Sequence, residues 1–112
     1  MALVKVARVG EVGEGSMVPV EVQGKKLLVA RVDGSFYAID AVCSHMAGDL
    51  AKGKLSKGIV KCPRHGAEYD VRTGELIKDV GGMAKAINLG RGAKGQAVFK
   101  VVVEGDDVKV EV

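Results

Sequence analysis

The chain alternates short apolar runs with glycine-bearing turns, and nowhere do apolar residues recur at helical spacing. Lys5–Arg8 reads as a first strand. Val18–Val22 and Lys26–Val32 flank Gln23-Gly24-Lys25 and read as a hairpin, and Asp33-Gly34 is a tight-turn signal before a further strand at Phe36–Asp40. The pattern then breaks. Residues 43–58 read as loop, Ile59–Lys61 as a short strand, residues 62–66 as a second loop, and Ala67–Val71 as a strand closed by the turn Arg72-Thr73-Gly74-Glu75. Residues 78–95 are glycine-rich and irregular, and the clearest hairpin is the last, Ala97–Val103 and Val108–Val112 around the turn Glu104–Asp107. Many short strands without helical segments predict an all-β domain of antiparallel sheets.

Composition narrows this picture. A chain of 112 residues is one domain's worth, so residues 1–112 are expected to share a single fold. Valine, not aromatic residues, supplies the apolar bulk, which suits strands. The net charge is +3, but basic and acidic residues are interspersed, and no Lys/Arg run suggests nucleic acid. No apolar stretch approaches the roughly 20 residues that span a bilayer, and the N-terminal decapeptide lacks the apolar run of a signal peptide. A cytoplasmic protein with no membrane partner is therefore expected.

The chemistry is concentrated in four residues. The chain has two Cys and two His, and all fall in Cys43-Ser44-His45 and Cys62-Pro63-Arg64-His65, with sixteen residues between His45 and Cys62. Thiolates and imidazoles gathered on two loops are what a transition-metal centre requires. Other readings compete. A Cys43–Cys62 disulfide would leave both His unexplained, and a cytosolic setting disfavours it. The four residues could also be unrelated. A zinc site normally runs Cys, Cys, His, His with helical spacing in the His half, whereas here the order is Cys, His, Cys, His.

With its context, Cys43-Ser44-His45-Met46-Ala47-Gly48 followed by Cys62-Pro63-Arg64-His65-Gly66-Ala67-Glu68-Tyr69, the pattern resembles the Rieske-type [2Fe–2S] ferredoxin family, most strongly over residues 36–76. The resemblance implies a fold of stacked antiparallel sheets in three layers, with two cluster-binding loops at one end. It implies one [2Fe–2S] cluster, with Cys43 and Cys62 on the inner iron and His45 and His65 on the outer iron near the surface. It further implies a soluble one-electron carrier, not itself an enzyme, between a reductase and an oxygenase or other redox enzyme. A small subunit of a larger oxidoreductase, of the nitrite-reductase type, and a structural zinc module are the alternatives.

Such a ligand set has a clear electrostatic consequence. Two thiolates cancel the charge of the oxidised core and neutral imidazoles add none, so the site is neutral when oxidised and carries one negative charge when reduced. An electron is then easier to accept than at an all-thiolate site. Gly48 and Gly66 are read as loop-shaping residues that permit unusual backbone angles, and Pro63 as a stiffener of the second loop. High-potential family members carry a Ser after the His-Gly pair and a Tyr two residues later, both donating hydrogen bonds to the centre. Here Ala67 replaces the Ser and Tyr69 keeps the Tyr, so a potential below the respiratory type is expected, with aromatic packing as the plainer role for Tyr69. The loops carry no additional Cys pair to brace them, and Gly81-Gly82-Met83 stands where many relatives have a Gly-Pro cover.

Overall fold

A computed structural model describes residues 2–42, 49–63, 66–78 and 96–112. The described strands are β1 (Leu3–Arg8), β2 (Met17–Val22), β3 (Lys25–Val32), β4 (Ser35–Asp40), β5 (Lys54–Ser56), β6 (Ile59–Lys61), β7 (Glu68–Asp70), β8 (Leu76–Lys78), β9 (Val98–Phe99), β10 (Val101–Glu104) and β11 (Asp107–Glu111). They form three antiparallel sheets in the orders β1-β11-β10, β2-β3-β4-β9 and β5-β6-β7-β8.

Local chemistry sets the hairpins. Two-residue turns whose central residues both have positive φ match the right-handed twist of the flanking strands, and glycine takes such angles without a Cβ clash. Gln23-Gly24 (φ 51° and 79°), Asp33-Gly34 (52° and 80°) and Lys57-Gly58 (51° and 80°) join β2 to β3, β3 to β4 and β5 to β6 in this way. The carboxylate of Glu14 accepts from the Asp33 and Gly34 N–H groups at 2.8 and 2.6 Å, which fixes the second turn and holds Glu14 below the usual carboxylate range.

The layering follows from β3. Its Leu27–Val32 run is apolar at almost every position instead of alternating, and the structure buries it on both faces. Leu27 and Val29 join Ala7, Val12, Val22, Ala38, Val108 and Val110 in one core. Leu28, Ala30 and Val32 join Ile39, Ala41, Leu50, Val60, Cys62, Ala67, Tyr69 and Val71 in a second. The β2-β3-β4-β9 sheet is therefore the middle of three layers. At about 1.5–3 kcal/mol for each large side chain fully buried, β3 contributes heavily to both interfaces.

Two parts of the sequence reading are corrected. Residues 43–58 are not all loop: Leu50–Lys52 is a single 3-10 turn and Lys54–Ser56 is a strand. The expected strand Ala97–Val103 is broken at Lys100, because Val98–Phe99 pairs with β4 while Val101–Glu104 pairs with β11. The chain changes sheets there, which periodicity cannot reveal. Leu76–Lys78, too short for a pattern, is the edge strand of the third sheet. Among the described residues no helix is long and apolar enough to cross a membrane.

Candidate metal centre

The two segments that carry the candidate ligands are tied at their bases into the same core. At the first, Val42 and Asp49 form an isolated antiparallel bridge, and the Leu50 N–H donates to the Ala41 carbonyl at 2.9 Å. Asp49 Oδ1 accepts from the Ala51 N–H at 3.0 Å and caps the turn that follows. Val42 and Asp49 thus pair as a narrow neck flanking positions 43–48. Cys43, His45 and Gly48 lie outside the described residues.

At the second loop the Cys62 N–H donates to the Ala67 carbonyl at 2.7 Å, and the Gly66 N–H donates back to the Cys62 carbonyl at 3.1 Å. This pair closes a short loop whose first residue is Cys62. Gly66 has φ +80°, and the nearest described atom to a Cβ built there is Lys61 Cε at 3.6 Å, so its glycine is required by backbone angle and not by space. Cys62 is a free thiol and is buried, with 1 % exposure, while Pro63 is exposed. His65 lies outside the described residues, as do Gly81-Gly82-Met83.

The two necks converge. Ala41 and Leu50 from the first, and Cys62 and Ala67 from the second, pack in one core cluster with Val60 and Tyr69. Tyr69 is fully buried in β7, opposite Val60 of β6 and Leu76 of β8. It packs in the core cluster that Cys62, Ala67 and Val60 share. The far end of β7 is held by Asp70, which takes Arg72 in a two-point ion pair at 2.9 and 3.1 Å and also accepts the Arg72 N–H at 2.9 Å. The Arg72 side-chain hydrogen bond, working against partial burial, keeps the Asp70 carboxyl below its ordinary value.

Sequence reasoning missed one residue. Gln96 is 8 % exposed, and its side-chain amide donates to the carbonyls of Asp40 at 3.0 Å and Val42 at 2.6 Å, immediately before Cys43. Both partners are acceptors, so the NH2 end of the amide must face them. Its own N–H donates to the Gly74 carbonyl at 2.7 Å. Gln96 therefore joins the base of the first loop to the turn after β7. Nothing in an irregular, glycine-rich stretch distinguishes it.

A buried thiol on a hydrogen-bonded loop, a second loop anchored in the same core, and two Cys with two His in the loop sequences fit an iron–sulfur centre in donor chemistry. The sequence model of the Rieske [2Fe-2S] domain matches residues 2–88. The ferredoxin component of biphenyl 2,3-dioxygenase from Rhodococcus jostii (strain RHA1) is 35% identical over 99% of this chain and 94% of its own. The structure resembles the ferredoxin of carbazole 1,9a-dioxygenase from Nocardioides aromaticivorans IC177, with a TM-score of 0.81, 27% identity and coverage of 98% of this chain and 97% of that one. It also resembles a chain in a complex of reduced oxygenase and oxidized ferredoxin of carbazole 1,9a-dioxygenase, with a TM-score of 0.79, 28% identity and coverage of 96% and 91%. By sequence, layered fold and loop chemistry, the chain belongs to the Rieske [2Fe-2S] domain family.

Proposed function

We propose that this protein is a soluble, cytoplasmic one-electron carrier that takes electrons from a reductase and delivers them to an oxygenase, using a [2Fe–2S] cluster held by Cys43, His45, Cys62 and His65. Residues 1–112 serve as a single domain for that purpose. The observation that carries the reading is the meeting of the two loop bases, Ala41/Leu50 and Cys62/Ala67, in one core cluster. It supports a single site that draws ligands from both loops. Two relatives in which the likeness runs through nearly the whole of both chains are ferredoxins of dioxygenase systems, which supports a carrier role over a catalytic one.

When bound, such a cluster supplies a reversible one-electron couple. This chain's residues do the remaining work. Cys62, buried beneath the loop, holds its sulfur away from water, and the hydrogen bonds linking Cys62, Gly66 and Ala67 fix where that sulfur points. Tyr69 shares a core cluster with Cys62 and Ala67, and its hydroxyl serves as a donor to the site, with Ala67 providing no second one. The rigid β6–β7 and β3–β4 frames limit reorganisation when the charge of the site changes.

The purified protein is expected to be red-brown, to bleach with dithionite, and to give the low-average-g EPR signal of histidine-ligated [2Fe–2S] centres when reduced. Colourless protein carrying stoichiometric zinc would overturn the reading in favour of a structural module.

A further inference from the structure

The sheet that carries the Cys62 loop ends, next to that loop, in one rung of residues in register. Lys54 stands opposite Lys61, Lys61 opposite Glu68, and Glu68 opposite Lys78. Leu55, Val60 and Tyr69, one residue along each strand, pack on the core side, so Lys54, Lys61 and Glu68 face outward. Lys52 is drawn alongside, because Gly53 lies against the backbone of Lys61 so closely that a Cβ there would collide with the Lys61 carbonyl oxygen. Lys52, Lys54 and Lys61 line one open cleft of about 290 Å3 together with Cys62, Pro63 and Gly66. The stem of Lys61 runs toward Gly66, which places its ammonium beside the loop.

Like charges directly opposite each other destabilise a sheet. Elsewhere this protein neutralises such a pair. Lys5 and Lys109 also face each other, but Asp107 lies 3.0 Å from Lys5 and Glu104 lies 3.5 Å from Lys109. Lys52, Lys54 and Lys61 are exposed, and none of them forms an ion pair among the described residues. Glu68 is the single acid in the rung, against Lys54, Lys61 and Lys78. Lys54 and Lys61 thus face each other without an ion pair among the described residues, at the rung that adjoins Cys62. We propose that this lysine rim is a docking surface for an acidic face on the protein that exchanges electrons with the site. The proposal rests on the electron-carrier reading. A rim of net positive charge raises the local concentration of an anionic partner and speeds encounter in a salt-dependent way.

The test compares Lys54→Glu with Lys100→Glu, which makes the same change of net charge on an exposed residue of another sheet region. In a first arm, fluorescein-labelled octaglutamate is titrated with the holoprotein and followed by anisotropy. Wild type and Lys100→Glu should bind in low salt and release in high salt, whereas Lys54→Glu should bind at least about threefold more weakly. In a second arm, the dithionite-reduced protein is oxidised in stopped flow by ferricyanide or by hexaamminecobalt(III). One electron leaves the protein and reduces the complex, and no bond forms. Lys54→Glu should slow the anionic oxidant and speed the cationic one, with Lys100→Glu changing each much less. Lys54→Gln, which removes the charge with little change of shape, should give an intermediate effect and serves if the Glu variant folds poorly. Equal effects of Lys54→Glu and Lys100→Glu in both arms would overturn the proposal. A protein that fails to bleach with dithionite defeats the carrier reading instead, and the octaglutamate arm still decides whether the rim binds an acidic partner.

Discussion

The side-chain amide of Gln96 donates to the carbonyl of Val42 at 2.6 Å, across 54 residues of sequence and one residue short of Cys43. A second bond from the same nitrogen reaches the Asp40 carbonyl at 3.0 Å. Replacing Gln96 with Leu removes both donors and leaves two carbonyls at the end of β4 without them. The expected cost is about 2 kcal/mol, on the scale of a buried polar group left unpaired. Gln96→Glu should be worse, since it turns an acceptor toward acceptors. Urea unfolding of the holoprotein measures the stability, and the reduced-state EPR line shape reports whether the base of the first loop has moved. Unchanged stability in Gln96→Leu would remove the strap from the account.

Tyr69 offers a test that separates packing from tuning. Its ring is fully buried among Ala67, Cys62 and Val60, so Tyr69→Phe keeps the packing and deletes only the hydroxyl. A hydrogen bond that stabilises the reduced state by about 1 kcal/mol corresponds to roughly 40 mV for one electron. Voltammetry should find the potential lowered by about that amount, with thermal stability little changed. An unmoved potential would leave Tyr69 as core alone.

Asp70 gives the protein an acid-sensitive contact. Its folded-state value is depressed by Arg72, so the pair stabilises the fold at and above the unfolded carboxyl value of 3.8 and loses that contribution as pH falls through the lower folded value. Because Arg72 is 39% exposed, solvent screening limits the contribution to about 1 kcal/mol or less. Asp70→Asn should thus be slightly less stable than wild type at neutral pH, and the gap should close in the acid range. Unfolding curves collected as a function of pH would show a constant gap if Asp70 were not the titrating group.

Removal of the cluster should loosen the two loops together. The Leu50, Cys62 and Gly66 N–H groups bond within the loop bases, and no disulfide reinforces Cys62. Hydrogen exchange at these amides should accelerate in concert after chelation, while Leu28 and Val29, central to β3, stay protected. Exchange left unchanged by chelation would mean that their shared core, and not a shared metal, holds them.

What the sequence determined by itself is local. The glycine turns at Gln23-Gly24 and Asp33-Gly34 require positive φ, and the chemistry of those residues announces it. The apolar run of β3 marks a strand, and the order Cys, His, Cys, His in two loops marks the family. What only the tertiary structure decided depends on partners distant in the chain. β1 closes on β11, the last apolar run divides at Lys100 between two sheets, and the short strands β5 and β8 exist because β6 and β7 supply their hydrogen bonds. The Gln96 strap and the Lys54–Lys61 rung belong to the same class. A side chain's bond to a carbonyl 54 residues away, or a charge's opposite number across a sheet, is set by register and packing, which no periodicity along the chain encodes.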